Sequence, residues 1–217
     1  MISVRSRLRW LLPWLVLPSL VVAQPWPEPP ERIVPAPEIW ERLQAGEVVL
    51  KSTHVDESGG AARVQALFEL QPEALWDVIR DCEANFRFVD GLRECEVVSE
   101  STTSAVTRQQ VKKGFFSPRL DYSFETVREP HEWIRIQLLE GDLKLLEGSW
   151  RFDPAPEGEG LLVTHEIRVR PRMPVPRWLV RRTVRKDISD MVACLRWEAG
   201  GSLDPKQRGL DRERCPD

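Results

Sequence analysis

Two side chains in this 217-residue chain could move a proton inside an apolar setting. His165 sits in the alternating run 161–170, on the face that also carries Leu161, Val163, Ile167 and Val169. Packing does not call for a histidine there, so it is a candidate to donate to a ligand carbonyl or to act as a general acid or base. Tyr122, the only tyrosine, falls on the corresponding face of the run 119–128 with Leu120 and Phe124. The competing reading of His165 is a core histidine satisfied by a neighbour. No Ser/His/Asp spacing and no paired carboxylates accompany either residue, so no catalytic residue is assigned.

Cys82, Cys95, Cys194 and Cys215 are the next chemically distinctive set. Three pairings are open, and local spacing favours Cys82–Cys95 and Cys194–Cys215. The spacings fit no CxxC metal or redox motif, so neither metal nor cofactor is expected. A basic run follows at Arg168, Arg170, Arg172, Arg177, Arg181, Arg182, Arg185 and Lys186, with no acid between them. Several of these open a helix, where positive charge opposes the helix dipole. A cost of that kind points to use on an anionic lipid headgroup or bilayer surface. The alternative is a solvated face countered by the abundant acids. In 112–116, Lys-Lys-Gly-Phe-Phe, Phe115 and Phe116 could gate a portal or dip into a membrane, or one could pack under the turn.

The ends of the chain bound the rest. Arg5, Arg7 and Arg9 precede an uncharged apolar run, 10–22, and small residues at 21 and 23 suit cleavage before Gln24. That run contains Pro13 and Pro18 and is short for a spanning helix. The expectation is a signal peptide over 1–23 and a secreted or periplasmic protein; the alternative is an N-terminal membrane anchor. Loss of 1–23 removes three arginines and no acids, leaving 28 Lys+Arg against 34 Asp+Glu and a formal charge of −6. That balance argues against a nucleic-acid binder. Residues 24–44 read as a proline-rich extended arm and a short helix, 45–199 as one domain, and 200–217 as a polar tail that stays loose unless a disulfide ties it down. No sequence feature sets the oligomeric state.

The elements that must position these residues follow a clear order. Residues 47–56 and 63–70 form a hairpin around Ser58-Gly59-Gly60. Pro72 opens a helix whose apolar face is Leu75, Trp76, Val78 and Ile79, and a second short helix follows Cys82. Six alternating runs come next, at 94–100, 105–113, 119–128, 132–139, 143–152 and 161–170, with short turns between them. Period two with one polar face predicts an antiparallel sheet wet on one side. Val180, Val184, Ile188, Met191 and Leu195 then make one stripe along a final helix of roughly 24 residues, about 36 Å long and able to cross the whole sheet.

This chain resembles the START-like, or helix-grip (Bet v 1-like), superfamily, which includes polyketide cyclase/dehydrase and coenzyme Q-binding COQ10-type domains. The residues that carry the resemblance are PEALWDVIRDCEANFRFVDGLRECEVV at 72–98, GSWRF at 148–152 and RPRMPVPRWLVRR at 170–182. The resemblance implies an α+β helix-grip fold: a seven-stranded curved antiparallel sheet around a long C-terminal helix, two short helices after the first strands, and an apolar ligand cavity. Phe86, Phe88, Tyr122, Phe124, Ile136, Trp150, His165, Ile167, Trp178, Val184, Ile188 and Met191 are then the expected wall. The expected function is carriage of a hydrophobic small molecule or lipid near a membrane. The alternative is an aromatase/cyclase-like enzyme using the same cavity, with His165 and Tyr122 as proton-transfer groups. A third reading is an interaction domain whose cavity its own side chains fill.

Overall fold

In the computed structural model the described residues are 27–217, apart from 57–58, 115–116, 157–159, 175, 203 and 217. The expected signal segment lies outside them, as do Phe115 and Phe116. Eight strands make one antiparallel sheet: β1 (Val49–Asp56), β2 (Gly59–Phe68), β3 (Leu92–Glu100), β4 (Ser104–Val111), β5 (Leu120–Glu129), β6 (Trp133–Gly141), β7 (Leu143–Pro154) and β8 (Leu161–Pro171). Their order is β1-β2-β8-β7-β6-β5-β4-β3. This is the expected α+β helix-grip architecture with one strand more than the seven that the resemblance implied. The hairpin and the six alternating runs account for all eight.

Between β2 and β3 lie α2 (Pro72–Arg80) and α3 (Cys82–Phe88). Pro72 occupies the first turn of α2, where its missing N–H costs nothing, and Asp81 caps α3 by accepting from the Glu83 N–H at 2.8 Å. Cys82–Cys95 staples α3 to β3, and Cys194–Cys215 forms the second disulfide. Paired cysteines of this kind belong to an oxidising compartment. No helix among the described residues is long and apolar enough to cross a membrane.

The last helix is not continuous. It runs as α4 (Arg177–Arg182), a π-helical turn (Thr183–Asp187) and α5 (Ile188–Glu198). The wider turn divides the stripe that the periodicity draws as one. Val180 and Val184 pack with Ala62 of β2, whereas Val192 and Leu195 join Phe68, Leu75, Trp76, Phe88, Trp150 and Phe152 in the main core. α4 approaches β1 and β2 most closely and α5 approaches β2, α2 and α3, while Asp187 of the π turn reaches Lys113 just past β4. The packed core therefore sits at one end of the inner face.

Two regions read as loose are tied down. Arg196 of α5 and Asp211 of α6 (Pro205–Arg212) form a buried bidentate pair, with both N–O distances 2.7 Å. Burying two charges is tolerable here because the guanidinium also donates to Leu67 O at 3.0 Å and Gly46 O at 2.9 Å. The tail is thus a docked helix. The described part of the proline-rich arm also packs. Its carbonyls accept from the sheet's outer face: Glu28 O from Arg135 Nε at 2.5 Å, Pro30 O from Arg151 Nη1 at 2.9 Å and Ile33 O from Gln65 Nε2 at 3.1 Å. An extended proline segment has no ladder of its own, so arginine donors supply what its carbonyls need. With α1 (Pro37–Gln44), whose Leu43 packs on Leu162, the arm covers part of a face expected to be wet.

Candidate functional site

On the inner face of the sheet, beside the core, lies a cavity of about 260 Å³. Strand alternation supplies most of its wall. From β5 come Tyr122 and Phe124, from β6 Ile134 and Ile136, from β7 Leu146 and Trp150, and from β8 His165 and Ile167. Phe88 closes it from α3, and Ile188 and Met191 from α5. Nine of the twelve expected wall residues are therefore brought together. The other three are not. Phe86 is 41 % exposed, because the helix face that buries Ala84 and Phe88, four residues apart, turns Phe86 outward. Trp178 is 67 % exposed on α4. Val184 is consumed by packing with Val180 and Ala62.

Further wall residues come from a strand in which neither face is plainly apolar. β4 pairs with β5 so that Gln109 faces Tyr122 and Thr107 faces Phe124. This inner face carries Ala105, Thr107, Gln109 and Val111, opposite the Val106, Arg108 and Gln110 face. Half its members are polar, so alternation alone does not mark it as the cavity side. Arg128, at the end of β5, is buried but fully used: it donates to Glu100 at 2.7 Å, Ser101 O at 2.7 Å and Thr102 O at 3.3 Å. The Arg80 guanidinium, with Arg128 beside it, holds the Glu100 carboxyl below the usual range. At another part of the wall Lys113 bridges Asp187 of the π turn and Asp90, 3.6 Å away. Gly91 permits this approach. Its φ is +77°, and a Cβ there would sit 2.9 Å from Lys112 O.

His165 is 2 % exposed, and its ring stacks on Trp150 with centroids 3.8 Å apart. Its Nδ1 lies 3.0 Å from Ser149 O. A carbonyl only accepts, so Nδ1 carries the proton and Nε2 presents a bare lone pair. The expectation that His165 donates to a ligand carbonyl is corrected on that ground: its one proton is already committed. Nε2 is the only buried side-chain nitrogen or oxygen without a partner among the described residues. Tyr122 donates to Gln109 Oε1 at 3.3 Å. Burial pushes its hydroxyl up to about 12 and pushes His165 down to about 4, the latter only partly offset by the Ser149 bond.

A larger hollow, about 910 Å³, lies elsewhere, between α1, α6 and the end of β2. It is a polar cleft, and its Arg196 is fully engaged by Asp211, Leu67 O and Gly46 O. It reads as a seam between elements, whereas the smaller cavity holds the unsatisfied group. The expected cationic surface divides similarly. Arg172 is drawn back to Gly141 O at 2.7 Å and Lys186 pairs with Asp190, while Arg181, Arg182 and Arg185 form no ion pair with described residues. These three surround the exposed Trp178. Arg177 shares this helix.

Neutral burial of His165 has a pH signature. Between its ordinary value of 6.5 and about 4, the unfolded chain binds a proton that the folded chain refuses. Stability is therefore full above 6.5 and falls as pH falls through that window, by about 3 kcal/mol at the limit. A His165→Phe variant lacks this loss. Urea unfolding of both proteins at successive pH values should show the wild type losing ground to the variant as pH falls to 4. A difference independent of pH contradicts neutral burial.

A model of the family described as polyketide cyclase / dehydrase and lipid transport matches residues 68–196. No curated protein sequence matches the chain. Among solved structures, a STAR-related lipid transfer protein fragment from Xanthomonas axonopodis superposes with a TM-score of 0.59 at 14% identity, over 70% of this chain and 98% of that one. Human STARD10 gives 0.55 at 12% identity, over 82% and 85%. The Zhui aromatase/cyclase from Streptomyces sp. R1128 gives 0.54 at 14% identity, over 67% and 96%. At these identities the likeness is one of fold. The family model spans more than half of the chain, both flanking helices and the cavity between them, and so this chain belongs to the polyketide cyclase/dehydrase and lipid transport family.

Proposed function

We propose that this protein is an exported, non-catalytic carrier that holds one small hydrophobic molecule in the cavity beside Trp150 and His165. The carrying observation is that cavity, where Phe88, Phe124, Ile134, Ile136, Leu146 and Met191 supply apolar wall beside polar groups that include Thr107, Gln109, Tyr122 and His165. Its volume of about 260 Å³ sets the scale. A dry cavity of roughly 150 Å³ accepts benzene. The space therefore suits one or two fused rings or a short branched chain, and a two-chain lipid would need the walls to part. The proton-transfer reading gains nothing from the geometry. His165 at about 4 and Tyr122 at about 12 both lie far from the neutral range that a general acid or base needs. Export is supported by the two disulfides and by the leader-like segment of the sequence.

The delivery surface in this reading is α4. An exposed tryptophan among Arg181, Arg182 and Arg185 suits the interface of an anionic bilayer, where the indole sits at headgroup depth and each cation contributes about 1 kcal/mol.

Two outcomes are expected. Filling the space with Ile136→Trp should weaken binding of naphthalene, followed by NMR, at least roughly tenfold while leaving the unfolding midpoint nearly unchanged. Unchanged affinity places the ligand elsewhere. Replacing Arg181 and Arg185 by alanine should reduce partitioning onto phosphatidylserine vesicles at low salt roughly thirtyfold, with neutral vesicles unaffected. Equal wild-type binding to both vesicle types ends the membrane reading.

A further inference from the structure

The cavity's polar groups constrain the chemistry of what it holds. His165 Nδ1 donates to Ser149 O at 3.0 Å, which leaves Nε2 as an acceptor with no protein partner. The ring is not free to turn: Trp150 stacks on it with an interplanar angle of 21°, and the two residues are cross-strand partners in β7 and β8. With Nδ1 anchored to the sheet, Nε2 lies on the other side of a ring that lines the cavity; water does not reach it in this packing, so a donor meets it only when the wall gives slightly. Tyr122 spends its single O–H on Gln109 Oε1, so its oxygen too is left as an acceptor. Both ring-borne polar groups of the wall therefore ask for hydrogen-bond donors. A buried acceptor left bare costs about 1–3 kcal/mol.

We infer that the bound molecule is a small, mostly hydrocarbon alcohol or phenol whose O–H donates to Nε2 of His165. This rests on the reading of the cavity as a hydrophobic binding site, and it narrows that reading. Ketones, esters, ethers and quinones bring only acceptors and leave Nε2 unpaired against their own oxygens. A plain hydrocarbon fits the walls but leaves the same atom unsatisfied. The single hydroxyl thus fixes orientation and selects the ligand, while the surrounding aromatic and aliphatic walls supply the burial.

Naphthol, its methyl ether, naphthoquinone and naphthalene have one ring frame and differ in donor capacity. Titrated calorimetrically into the full chain at neutral pH, naphthol should bind about tenfold or more tighter than the ether and the quinone. In His165→Phe the naphthol preference should vanish while the affinity for the ether is kept. Imidazole nitrogen NMR on the wild type gives a readout that does not depend on how that variant folds. Naphthol should move the Nε2 resonance toward its hydrogen-bonded position, and the ether should not. Equal affinities for naphthol and ether with an unmoved Nε2 overturn the donor assignment and leave the binding cavity intact. Failure of all four compounds to bind overturns the cavity reading and this inference with it.

Discussion

Helices that cover only part of a wide sheet are the constraint on which the rest of this structure depends. Eight strands at about 4.8 Å spacing make a surface roughly 34 Å across. The last helix, Arg177 to Glu198 with its π turn, comes closest to β1 and β2 among the strands and to α2 and α3 beside them. The core of Phe68, Trp76, Phe152 and Leu195 closes under that cover. The inner face of β4, β5 and β6 does not close, and Thr107, Tyr122, Phe124 and Ile136 are left lining a space. Filling it would take larger side chains or a more deeply seated helix. The π turn falls where the helix passes from packing on β2 to edging the cavity.

Much of the stabilising architecture works to keep that space open without loss of the fold. The two disulfides lie at opposite jobs: one fixes α3 to β3 at the cavity, the other fixes the tail to α5. The Arg196–Asp211 pair locks α6 against the back of the core. The proline-rich arm and α1 cover the outer face behind β2, β7 and β8, so Gln65 and Thr164 are buried there and bond to each other at 3.2 Å. The packed end is thus reinforced from both faces. The hollow end is held by ion pairs at its rim, Lys113 with Asp187 and Glu100 with Arg80 and Arg128. Apart from the buried Arg128 these rim groups are partly solvated, and solvated pairs are worth little individually, so a ligand could enter at this end.

The sequence carried the sheet in full, because period-two alternation in runs such as 161–170 survives whatever lies above it. It carried His165 as anomalous for the same reason: one polar residue on an apolar face needs no coordinates to be noticed. Other features were invisible for physical reasons. The stripe from Val180 to Leu195 is equally periodic with or without a π turn, so the break leaves no trace in spacing. Phe86 and Phe88 differ only by which side of a short helix meets the core. Gln109 hides among polar neighbours because the cavity wall accepts polarity that a packed core would not. The role of His165 as acceptor depends on one bond to Ser149 O, a contact between strands that no single strand encodes.

The central claim is that this protein carries a small apolar molecule in the space that its helices leave uncovered. Its most direct test is mass spectrometry of organic extracts from protein purified, without added ligand, out of the cells that make it. The account predicts one compound near equimolar ratio, small enough for about 260 Å³ and bearing a hydroxyl group. Extracts with no compound near that ratio would contradict it.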